Sequence, residues 1–102
     1  MSQEARIISF VKSARAALGW SQPDLAHHSG VSIVAIARLE SGAASPRLST
    51  VSKLREAFAT AGVRMLDDQP QGGYTMMVQP LAVQTSARQI EGRRIGDEGL
   101  DD

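Results

Sequence analysis

Between Ser2 and Phe58, apolar side chains recur at intervals of three and four residues, and each run closes on a glycine or a polar cluster. Ile7, Val11, Ala14 and Leu18, widened by Phe10, form one stripe that predicts a first helix, capped by Ser2 and stopped at Gly19. Ser21 with Asp24 three residues on is a short-armed capping box, and Pro23 sits in the first turn, where its missing N–H costs nothing. Leu25 and Ala26 face inward from this second helix. Gly30 ends it, since a residue without Cβ takes the left-handed conformation of a tight turn at least cost. Val31 re-enters the core, and Ser32 caps a third helix running to about Ser41, with Ala35, Ile36 and Leu39 inward and Gly42 as its stop.

After a loop, "AASPRLST", in which Pro46 pushes Ser45 away from helical geometry, Ser49 or Thr50 is expected to open a fourth helix. Val51, Leu54, Ala57 and Phe58 give its inner face, and Gly62 its end. The period then changes. Val63 to Leu66 and Tyr74 to Val78 are β-prone runs around a loop rich in Asp, Gln, Pro and Gly, which predicts a hairpin. From about Gln84 the chain is polar and contains glycine, so a flexible acidic tail is expected. "IEGR" at 90–93 matches a protease recognition tetrapeptide but reads as natural sequence. The expected fold class is all-α: a compact domain of four to five helices over residues 1–66, a hairpin segment over 67–83 and a tail over 84–102.

Composition narrows the function classes. A chain of 102 residues has room for one core, not for an enzyme cleft plus a second module. No apolar run is long enough to cross a bilayer, and the N-terminal stretch, interrupted by Arg6, Lys12 and Arg15, is not a signal peptide, so a cytoplasmic location is expected. Without cysteine there is no disulfide, thiol nucleophile or thiolate metal site. Serines and histidines are present, but nothing places a base beside a nucleophile and no Gly-rich loop follows a strand; neither an enzyme nor a cofactor is expected. Formal charge is zero overall but unevenly spread, with eight bases and four acids in residues 1–66 (+4) and three bases and seven acids in residues 67–102 (−4). A basic head suits a polyanion.

Leu25, Ala26, Gly30, Val31, Ile36 and Leu39 have the spacing two helices need to cross steeply through a short turn. The string "R..LGWSQ.DLA...GVS...I.RLE.G...P....V..L...F", from Arg15 to Phe58, resembles the helix-turn-helix domain of phage Cro and repressor proteins, the xre/Cro-type family. The resemblance implies a sequence-specific DNA-binding regulator, most simply a repressor, that occupies operator DNA as a homodimer. It also implies roles for particular residues. Arg15 and Glu40 match a structural ion pair; Gln22, Ser32 and Arg47 match phosphate-contacting positions; Ile33, Val34, Ala37 and Arg38 match base-reading positions on the third helix. Lys53 and Arg55 are weaker phosphate candidates, since exposed helix charges mostly serve solvation.

Here this chain departs from its relatives, in which several base-reading positions are polar. Only Arg38 can make a bidentate contact to guanine; Ile33 and Val34 can offer apolar contact, for which the thymine methyl is the natural target. The competing reading is an exposed apolar patch for protein contact. Trp20 reads as a core residue. His27 and His28, adjacent on a helix, point about 100° apart and share no metal face. For the dimer contact, the second hairpin strand is the candidate, hiding Tyr74, Met76 and Val78 against a second copy. Two other readings stand beside the regulator: an antitoxin whose acidic C-terminal segment binds a basic toxin, and an adaptor with no DNA affinity.

Overall fold

Three serines set the starts of the first three helices. The hydroxyls of Ser2, Ser21 and Ser32 each accept the backbone N–H three residues on, at 3.1 Å. At Ser21 the bond is reciprocated, because the Asp24 carboxylate accepts the Ser21 N–H at 2.9 Å and so completes the box. In the computed structural model, which describes residues 2–100 and the side chains of residues 2–93, these caps open α1 (Gln3–Leu18), α2 (Gln22–Ser29) and α3 (Ile33–Ser41). Helix α4 (Leu48–Thr60) follows, then strands β1 (Val63–Asp67) and β2 (Tyr74–Val78), then α5 (Pro80–Leu100).

The predicted inner stripes converge on one core. Phe10, Leu18, Leu25, Ile36, Leu54 and Phe58 are essentially sealed from solvent, and each such side chain contributes about 1.5–3 kcal/mol relative to exposure. Phe10 meets Phe58 edge to face at 5.5 Å between ring centroids, and Trp20, buried, stacks on Phe58 at 6.0 Å, which confirms it as a core residue. Aromatic pairs in these geometries add to plain burial.

The strands form the expected hairpin, antiparallel with Val63 opposite Val78 and Met65 opposite Met76. Alternation turns Val63 and Met65 into the core and Arg64 and Leu66 outward. Tyr74 and Met76 lie on the inner face as well. The Tyr74 ring meets Phe10 at 6.2 Å, and its hydroxyl is 2.7 Å from the Ser9 hydroxyl. Arg6 donates its Nε–H to Asp67 at 2.7 Å and ties α1 to the end of β1.

Three expectations are corrected. Helix α4 begins before Ser49: Arg47 is its N-cap, without a side-chain hydrogen bond, so extended backbone after Pro46 rather than hydroxyl capping sets the start. The flexible tail expected from Gln84 is instead helical through Leu100, with Asp101 and Asp102 outside the described residues. Its anchor is a close approach of small groups: Ala82 is fully buried, and an added Cβ on Gly19 would stand 3.2 Å from Gln89 Cβ. Finally, Tyr74 and Met76, expected to be hidden by a second copy, are already half-covered by the chain's own core, whereas Val78 stays exposed.

Candidate nucleic-acid interface

Helix α3 has two faces. Ile36, Leu39 and Glu40 point into the protein, while Ile33, Val34 and Arg38 point out, with Ala37 half-buried between them. A 3.6-residue period forces this division, since positions 33, 34, 37 and 38 fall within less than half a turn of one another. Ile33 is 47% exposed and Val34 is 68% exposed, side by side on the face of α3 that also carries Arg38. Their helix-opening N–H groups have no intrahelical acceptor, so the same end of α3 offers donors to an anion. Ser32 caps it and is itself exposed.

The inner face of α3 is pinned by a charged pair. Arg15, from α1, donates Nε–H to one oxygen of Glu40 at 2.7 Å and Nη2–H to the other at 2.6 Å, a fork-on-fork contact. Its Nη1 donates to the Trp20 carbonyl at 3.0 Å. Glu40 is the buried charged residue among those described, and the bond to Glu40 holds the Arg15 guanidinium more basic than usual despite its partial burial. Gln22, at the start of α2, donates to Glu40 at 3.4 Å, so α1, α2 and α3 meet at this one carboxylate. The arrangement fixes the tilt of α3 on its neighbours.

Beyond α3 the loop to α4 bends back beside it. A groove of about 460 Å³ runs between them and brings Ser32, Val34 and Arg38 to one wall and Pro46, Arg47 and Thr50 to the other. Arg38 and Arg47, nine residues apart in sequence, thus border a single concavity. Leu48, the first residue of α4, is 83% exposed next to Arg47. Sequence reasoning passed over it because the helix was expected to start later. A larger cavity, about 540 Å³, lies elsewhere, among α2, α4 and α5, where His28 stacks on Trp20 at 4.2 Å. His27 and His28 present their rings at 75° to each other, and no group of three potential ligands gathers around a metal position among the described residues.

Of the residues singled out from sequence, Ile33, Val34, Arg38, Ser32 and Arg47 share one exposed surface, and Arg15 with Glu40 lies directly behind it. Gln22 is half-buried at its margin; Lys53 and Arg55 are exposed on α4, with Lys53 lining the larger cavity instead and Arg55 donating to the Met65 carbonyl at 3.3 Å. Two short helices crossing through a glycine turn, with the second exposed and braced from behind, define a helix-turn-helix DNA-binding domain. Residues 11–61, half of the chain, match the helix-turn-helix family model, and the chain belongs to that family of xre/Cro-type DNA-binding transcription regulators. No curated protein and no solved structure matches the chain. No helix among the described residues is long and apolar enough to cross a membrane.

Proposed function

We propose that this protein is a cytoplasmic, sequence-specific repressor that lays α3 in the major groove of operator DNA. The observation that carries the reading is the exposed face of α3, where Ile33, Val34 and Arg38 stand clear of the core while Arg15 and Glu40 hold the helix from behind. Arg38 reads a guanine through its planar fork, and Ile33 and Val34 pack on thymine methyls, with Ala37 small enough to let the helix approach. Gln22, Ser32 and Arg47 meet phosphates on either side and set the register without reading sequence.

A single unit of this size buries little DNA surface, so the reading includes a two-fold dimer on half-sites about one helical turn apart. With Tyr74 and Met76 turned to their own core, the contact falls to exposed Met77, Val78 and Leu81. Deleting the hairpin is a poor test, because Val63 and Met65 belong to the core. Met77→Lys with Val78→Lys, weighed in solution, is a better one: a monomer supports this contact and an unchanged dimer rejects it.

Selection of bound duplexes from a random pool by the purified protein tests the whole reading. Enrichment of a site containing G·C flanked by T·A pairs is expected. Recovery of the pool unenriched would favour the adaptor role and assign Ile33 and Val34 to protein contact.

A further inference from the structure

We infer that α5 supplies an additional DNA contact, with Arg93 as a phosphate ligand beside the α1–α2 turn; this rests on the DNA-binding reading above. The path of the last helix makes the case. Helix α4 starts at the Arg47 end of the molecule and runs 13 residues, about 20 Å, away from it. The hairpin hands the chain to α5 at that far end, where Ala82 packs so near Gly62 that a Cβ there would stand 3.1 Å from the Ala82 nitrogen. Helix α5 then returns. By Gln89 it touches Gly19, and one turn later Arg93 donates Nη2–H to the Gly19 carbonyl at 3.3 Å.

That carbonyl precedes Gln22 by three residues, so Arg93 is anchored within about 10 Å of the start of α2, the reach of three extended residues. One strand of a duplex presents a phosphate about every 3.4 Å along its axis. A phosphate neighbouring the one met by Gln22 therefore lies within range of the Arg93 guanidinium. Arg93 is exposed, and an arginine has five N–H donors, most of which the single bond to Gly19 leaves for an anion. Among the described side chains Asp24 is close enough to interact with the Arg93 charge, but its carboxylate accepts the Ser21 N–H and closes no salt bridge to Arg93. Helix α5 is thus a return arm that widens the footprint.

The test titrates the full-length chain with a random-sequence duplex pool across a range of salt concentrations. Arg93→Gln is expected to make the slope of log K against log salt shallower by about one unit, and Arg93→Lys to restore it. Thermal melting of the same variants reports the Gly19 bond separately. If Arg93→Gln lowers the melting temperature but leaves the slope unchanged, the arginine only caps the turn and the inference is overturned while DNA binding stands. If the unsubstituted chain binds no duplex in dilute salt, the regulatory reading itself falls, and this contact with it.

Discussion

Arg15 and Glu40, on α1 and at the end of α3, are joined by two parallel hydrogen bonds of 2.7 and 2.6 Å, with Glu40 buried behind the exposed face of α3. Removing one partner leaves the other charge partly desolvated and unpaired, which costs more than the pair contributes. Glu40→Ala is expected to destabilise the fold by about 3 kcal/mol, the lower end of the usual range because Arg15 retains some solvent. A lower urea midpoint at unchanged m-value would show it. Replacing both, Arg15→Met with Glu40→Leu, should recover most of the loss. Were the single substitution neutral, the pair would be no brace for α3.

Arg38 and Arg47 border the same groove but should fail differently. Arg38→Ala is expected to relax preference at one base pair, at about 1–3 kcal/mol of discrimination, because the loss depends on which base the fork faces. Arg47→Ala should weaken every duplex alike and flatten the salt dependence by about one unit. Binding of the two variants to a selected duplex and its single-base substitutions separates the cases. Equal loss on all duplexes for Arg38→Ala would remove it from base reading.

What the sequence made legible follows from where side-chain chemistry fixes geometry locally. Ser2, Ser21 and Ser32 cap helices through their own hydroxyls, so those starts were readable to the residue. Arg47 caps nothing with its side chain, and Ser49 and Thr50, which look like caps, lie inside the first turn of α4. The exposed face of α3 was legible because Ile36 and Leu39 claim the opposite one. Helix α5 was not. It docks by small-residue contact at Ala82 and Gly19 rather than by a broad apolar stripe, and its glycines and charges resemble those of an unfolded tail. Tyr74 and Met76 looked like interface residues because alternation tells which residues share a face, not what covers it.

Acid should loosen the link between α1 and the hairpin. The Arg6 hydrogen bond holds the Asp67 carboxyl below its ordinary value, and the Ser21 backbone N–H does the same for Asp24. With folded-state pKa values depressed, the unfolded chain binds more protons in this range, so both contributions are complete above about pH 4. They are lost as pH falls further, through the lower folded values. Asp67→Asn should therefore be less stable than the parent at pH 7, and the gap should close below pH 4. A gap of constant size in urea titrations across that range would mean that the Arg6 contact contributes nothing through charge.

Gly19 and Gly30 share a backbone conformation, φ +69° and +74°, but not a neighbourhood. Alanine at either must hold a left-handed conformation, at about 1 kcal/mol. At Gly30 nothing stands within 4 Å of the added Cβ, so the cost ends there. At Gly19 the new methyl meets Gln89 Cβ at 3.2 Å and Cγ at 3.4 Å, so α5 must give way or the turn must shift. Gly19→Ala is therefore expected to cost more than Gly30→Ala, by up to about 1–2 kcal/mol of added overpacking. The excess belongs to α5 and should vanish in a chain ending after Val83, which keeps Ala82 but lacks Gln89. Denaturant unfolding of the four proteins, each alanine variant in the full and shortened chain, gives the comparison directly. If the two substitutions cost the same in the full chain, α5 does not press on the α1–α2 turn in solution.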